Sequence, residues 1–100
     1  MLHTVNKSPF EKNALASCLR LAKAGSVILL YEDGIYATLK GTRFESTITE
    51  ALKNYTIYVL TADLEARGMK IDNVIAGIKS TDYAGFVDLV TENNSVQAWL

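Results

Sequence analysis

Cys18 is the one residue whose type alone could define a reaction. A cysteine thiolate can accept sulfane sulfur as a persulfide and pass it on by thiol exchange, which requires an accessible sulfur of depressed pKa. The surrounding pattern works against both requirements. Ala14, Leu15, Cys18, Leu19, Leu21 and Ala22 fall on one broad helical face with Cys18 near its centre, while Arg20 lies about 200° around the helix. A thiol so placed reads first as a small core hydrophobe, and the persulfide role stays open beside it.

Other chemistry-bearing residues are scattered. His3 lies inside a first strand and Ser8 follows five residues later, without the G-x-S-x-G elbow that would expose a nucleophile. His3 therefore reads as a packed histidine with one satisfied nitrogen. Asp33, Asp63 and Asp82 each follow a strand, where they could converge on a cation or act as acid and base. Aspartates in such places more often cap helices and shape turns. One histidine and one cysteine match no metal-ligand spacing, and one cysteine closes no intrachain disulfide. No loop has the G-x-G-x-x-G or G-x-x-x-x-G-K-[ST] pattern of a phosphate cradle, so neither a metal nor a nucleotide cofactor is expected.

The elements that must position these residues follow one another closely. Leu2–Val5 reads as a first strand. Two helix starts compete after it: Ser8 with Pro9 and Glu11, which resembles a capping box, and Asn13. Gly25 should end that helix. Ser26–Tyr31 is a continuous aliphatic run, the pattern of a strand buried on both faces of a parallel sheet. Ile35–Leu39 suits a short helix, and Phe44, Ile48, Ala51 and Leu52 share the face of another. Thr56–Thr61 is a third strand, Ala62–Arg67 a helix of under two turns, and Asn73–Ile78 a short fourth strand weakened by Gly77. Ser80, Thr81 and Asp82 are candidate caps for a helix with apolar face Tyr83, Phe86, Val87 and Val90, and Ser95–Leu100 is a terminal strand. Its alternation puts Trp99 with Gln97 and Ser95 on one face and Val96, Ala98 and Leu100 on the other.

Strands alternating with helices predict an α/β fold with a mostly parallel five-stranded sheet and right-handed crossovers. One hundred residues suit a single domain spanning 1–100, and the helical cover must be thin, leaving apolar surface open to a partner. The composition, 49% hydrophobic and 21% charged, is globular. The longest apolar run, Val27–Tyr31, has five residues against the roughly 20 of a membrane-spanning helix. Met1-Leu2-His3-Thr4 has no signal-peptide character, which predicts a cytoplasmic chain. Ten basic against eleven acidic side chains give a net charge of −1 with no basic block, so direct nucleic-acid binding is not expected. Ser80–Leu100 contains Asp82, Asp88 and Glu92 but no Lys or Arg.

Five segments together carry a family resemblance. They are Met1-Leu2-His3-Thr4-Val5-Asn6-Lys7-Ser8-Pro9-Phe10, Glu32-Asp33-Gly34-Ile35-Tyr36-Ala37, Asp63-Leu64-Glu65-Ala66-Arg67-Gly68, Asp82-Tyr83-Ala84-Gly85-Phe86-Val87-Asp88-Leu89 and Val96-Gln97-Ala98-Trp99-Leu100. Individually weak but matching in order and spacing, they resemble the DsrH/TusB family of sulfur-relay proteins over the full length. The resemblance implies a three-layer α/β/α domain with strand order 4-3-2-1-5. It further implies a cytoplasmic heterohexamer with two copies each of three related subunits, DsrE-like and DsrF-like (or TusD-like and TusC-like) chains being the partners. In one branch, DsrEFH, the complex serves oxidation of stored sulfur and hands sulfur to a DsrC-type carrier. In the other, TusBCD, it relays sulfur through a TusE-type acceptor towards 2-thiouridine at the tRNA wobble position.

In both branches the principal sulfur-carrying cysteine belongs to the DsrE/TusD-type subunit. Cys18 matches a cysteine of the DsrH branch, where TusB chains commonly carry an aliphatic residue. Ser8–Asn13 and the Asp82–Leu89 helix also look more like DsrH. The expected function is thus a DsrH-type subunit with Cys18 as the candidate catalytic, persulfide-bearing residue. The alternatives are a TusB-type subunit and a purely structural one without chemistry of its own.

Overall fold

The computed structural model describes residues 1–100. Eleven elements run in the order β1 (Leu2–Val5), α1 (Ala14–Leu21), β2 (Val27–Leu30), a 3-10 helix (Glu32–Thr38), α2 (Glu45–Ala51), β3 (Thr56–Leu60), α3 (Thr61–Ala66), a 3-10 turn (Ile71–Asn73), β4 (Lys79–Thr81), α4 (Tyr83–Glu92) and β5 (Val96–Trp99). The strands form one sheet of order β4-β3-β2-β1-β5, every pair parallel. This is the expected order. Burial of β2 on both faces explains its unbroken apolar sequence, while β1, equally buried, carries the polar His3 and Thr4 between Leu2 and Val5.

Alternation along the strands builds two apolar layers. On one face Val5, Ile28, Leu30 and Ile57 pack with Leu15 and Cys18 of α1 and Ile48 and Ala51 of α2. Beside them Val59 meets Ile35, Leu64 and Val74. On the opposite face Leu2 and Leu29 pack against Leu89 of α4, with Phe86 and Tyr58 at the margin. The three-layer arrangement follows, thick on one side and a single helix deep on the other.

Three elements depart from the sequence pattern. The fourth strand is not Asn73–Ile78 but the three residues Lys79–Thr81. Ile71–Asn73 closes a 3-10 turn, Val74 makes an isolated antiparallel bridge to Leu39, and Gly77 takes φ 101°. The apolar residues of that stretch thus serve as core plugs, and the chain joins the sheet only after the glycine. Pro9 does not open α1, because Ser8 instead caps a turn: its carbonyl accepts from the amides of Glu11 and Lys12 and its hydroxyl from that of Phe10. Asn13 is the helix boundary. In α4, Tyr83, Val87 and Val90 are exposed, and Phe86 and Leu89 take the sheet. That helix carries a wider apolar stripe than one sheet face covers.

Gly34 marks where the chain passes closest to itself. It follows Glu32, which sits at φ 48°, and a Cβ at Gly34 would collide with the Val5 carbonyl oxygen. Only glycine admits this approach.

Candidate functional site

In an open parallel sheet the ligand crevice is expected beyond the carboxyl ends of the strands. Here that end is occupied by a network of side-chain hydrogen bonds and ion pairs. Asp63, at the start of α3, accepts a 2.7 Å bond from the Glu32 amide and lies 3.7 Å from the Arg67 guanidinium. Arg67 reaches across to Asp33 with two nitrogens, at 2.9 and 3.1 Å, and donates to the Asp63 carbonyl at 3.2 Å. These hydrogen bonds to Asp33 raise the Arg67 pKa. Asn6, after β1, donates to Glu32 at 3.2 Å. The loops after β1, β2 and β3 are stitched together by these side chains, and the buried Oδ1 of Asn6 is left without a hydrogen-bond partner.

The three aspartates therefore divide. Asp33 and Asp63 flank Arg67, whereas Asp82 caps α4 by accepting from the Gly85 amide at 2.8 Å. All three act as turn, cap or ion-pair residues. Arg67 is the hub that sequence reasoning passed over. Its signal was its place four residues after Asp63 on a helix, the spacing at which opposite charges meet.

Cys18 lies away from this end. It is fully buried between α1 and the sheet, in contact distance of the aliphatic core. Burial pushes its thiol up to about 11, far from the depressed range of reactive cysteines. An attacking thiolate at neutral pH is thus scarce and shielded in this conformation.

A second region forms at the opposite pole. His3 on β1, Ser26 before β2 and Trp99 on β5 line a cleft of about 710 Å³ together with Lys23, Ser95 and Gln97. Trp99 donates its indole N–H to His3 Nδ1 at 3.0 Å, the rings 6.1 Å apart. An indole nitrogen can only donate, so Nδ1 is the acceptor and the neutral ring carries its proton on Nε2. His3 is 4% exposed, and burial lowers its pKa. The expectation of a packed histidine with one satisfied nitrogen describes it.

Comparison with known proteins gives a consistent picture. The family described as DsrH like protein matches residues 7–96. Protein TusB of Escherichia coli is 40% identical over 103 aligned residues, covering 99% of this chain and all of that protein. Protein TusB of Shigella dysenteriae serotype 1 is 39% identical over 101, with the same coverage. Among solved structures, the ychN protein from E. coli superposes with a TM-score of 0.82 at 18% identity, covering 97% of both chains. A protein of unknown function from Methanobacterium thermoautotrophicum gives 0.77 at 16%, covering 97% of this chain and 95% of that one. The two structures share the fold. No helix is long and apolar enough to cross a membrane. On the family match and on the full-length identity, the chain belongs to the DsrH/TusB family.

Proposed function

We propose that this chain is a TusB-type subunit of a cytoplasmic sulfur-relay complex that serves 2-thiolation of the tRNA wobble uridine. The observation that carries the reading is the end-to-end identity of about 40% to TusB proteins. The Ser8–Asn13 stretch, the Asp82–Leu89 helix and Cys18 favour the DsrH branch. Those residues weigh less than a match that spans the whole chain.

In this reading the subunit is chiefly architectural. The buried thiol of Cys18, with its raised pKa, supports a packing role there, and the strand-end network around Arg67 leaves no free nucleophile beside it. The sulfur-carrying cysteine belongs to a TusD-like partner, a TusC-like chain completes the hexamer, and a TusE-type protein receives the sulfur. The chain supplies surfaces that hold the carrier subunit in place.

The test is complementation in a bacterium lacking its own TusB, with 2-thiouridine measured in hydrolysed tRNA by mass spectrometry. Restored 2-thiouridine by both the wild type and Cys18→Ala is the expected result. No restoration, together with rescue of sulfur oxidation in a strain lacking DsrH, assigns the chain to the other branch. Rescue by the wild type alone, with Cys18→Ala folded and present at the wild-type level, makes Cys18 a sulfur carrier.

A further inference from the structure

The two edges of the sheet are not alike. At one edge β4 is three residues long, opens on exposed Lys79 and is followed by Asp82, the short charged design that discourages pairing. At the other, β5 and its flanks run Ser95-Val96-Gln97-Ala98-Trp99-Leu100 with no charged side chain, proline or bulge, and Val96, Gln97 and Ala98 are exposed.

The hydrogen bonds settle which groups this edge offers. Leu2 donates its amide to the Ser95 carbonyl, while Val27 and Tyr31 donate to the carbonyls of Met1 and Val5. Alternate residues of a strand direct their backbone groups to opposite sides. Ser95, Gln97 and Trp99 therefore bond β1, and Val96, Ala98 and Leu100 turn their N–H and C=O groups outward. Of these the Ala98 carbonyl is met by the Gln97 side chain, at 3.3 Å. An edge of this kind leaves its outward backbone groups to water and is a template on which another extended strand can add.

We infer that the occupant is β5 of a second copy of this chain, paired antiparallel about a two-fold axis through Ala98. In that register Ala98 faces Ala98 of the second copy, Val96 faces its Leu100 and Gln97 faces its Trp99. All three outward residues exchange backbone bonds, apolar side chains meet apolar ones, and no like charges are opposed. A two-fold sets each edge against itself, so a charge anywhere along β5 would have met its own kind nearby. The lack of one is what fits this edge to a copy of itself. A two-fold perpendicular to the sheet also keeps corresponding faces together, so Gln97 of the second copy lies beside the Trp99 side of the His3 cleft. The inference goes beyond the sulfur-relay reading and stands or falls separately from it.

Register-specific cross-linking of the full-length chain tests it. Directly opposed, hydrogen-bonded residues in antiparallel strands have Cα atoms about 5.5 Å apart, within disulfide reach, whereas residues offset by two are beyond it. On mild oxidation Ala98→Cys should give a covalent homodimer, and Gln97→Cys should not; buried Cys18 stays out of the reaction. Ala98→Lys, at an exposed side chain, should weaken self-association measured by sedimentation at least tenfold, with an unchanged circular dichroism spectrum. A wild-type monomer at micromolar concentration that gives no Ala98→Cys dimer overturns the inference, and efficient Gln97→Cys dimers overturn the register. The same Ala98→Cys variant is then oxidised in the reconstituted complex. A cross-link to a different subunit in place of a homodimer assigns the edge to that subunit and overturns the second-copy occupant.

Discussion

The indole N–H of Trp99 donates to His3 Nδ1 at 3.0 Å and so joins β5 to β1 by side chains as well as by the backbone ladder, across 96 residues of sequence. Protonating His3 at both nitrogens would set two N–H groups against each other. The bond is compatible only with the neutral ring.

Stability should therefore depend on pH through His3. Its folded pKa lies below the ordinary value, so the unfolded chain binds the proton first as pH falls. The contribution is fully present above about pH 6.5 and is lost as pH drops through the lower folded value. Urea denaturation between pH 8 and pH 5 should show this slope in the wild type and a reduced one in His3→Asn, whose side-chain oxygen can still accept from Trp99. Identical slopes for the two proteins would remove His3 from the account.

Trp99 is half-buried, so its truncation should cost less than loss of a fully enclosed tryptophan. Trp99→Phe keeps a ring and loses the hydrogen bond, at about 0.5–1.5 kcal/mol. Trp99→Ala should cost more, about 2–3 kcal/mol, since it also empties a place against the α1 core. Equal denaturation midpoints for the two variants would mean that the ring packs against nothing of consequence.

Cys18 should resist alkylation in the native protein at pH 8 and react rapidly once unfolded, because access and thiolate are both withheld. The raised pKa means that its contribution to stability is present below the ordinary thiol pKa and is lost as pH rises towards about 11. Cys18→Ser, which buries a hydroxyl in an aliphatic site, should destabilise by about 1–3 kcal/mol. Fast native labelling measured by mass spectrometry would bring back the carrier role.

Gly34→Ala should be among the costliest small changes in the chain. The added methyl must displace the Val5 carbonyl, whose oxygen accepts from the Tyr31 amide, and overpacking of this kind costs about 1–3 kcal/mol or more. Gly41→Ala, with open space around its Cβ, carries only the penalty of its positive φ and serves as the comparison. A Gly34→Ala midpoint no lower than that of Gly41→Ala would contradict the close approach.

Asp63→Ala should unpin the turn after β2. It leaves the Glu32 amide without its acceptor at a residue held in left-handed backbone, and it removes one of the two carboxylates around Arg67. The expected cost is about 1–3 kcal/mol, with faster amide exchange at Glu32. Asp82→Ala, which removes only a helix cap, should cost about 1 kcal/mol and leave that amide unchanged.

Much of the architecture was legible because it is local. The aliphatic run Ser26–Tyr31, the helical stripe through Leu15 and Cys18 and the alternation of Ser95–Leu100 each follow from the period of side-chain direction, which a sequence carries directly. The stripe already implied a buried thiol, and the spread of charge already set Ser80–Leu100 apart. What the tertiary structure decided were relations between distant segments. Asn73–Ile78 has strand-like composition, yet Gly77 and the bridge from Val74 to Leu39 commit it to the core and leave the sheet to Lys79–Thr81. Arg67 became a hub only when the loop carrying Asp33 was folded beside α3, and His3 met Trp99 only because β5 returns past the whole sheet to lie against β1. Periodicity fixes the direction of a side chain about its own strand or helix; which other side chain waits there is set by the order of the strands.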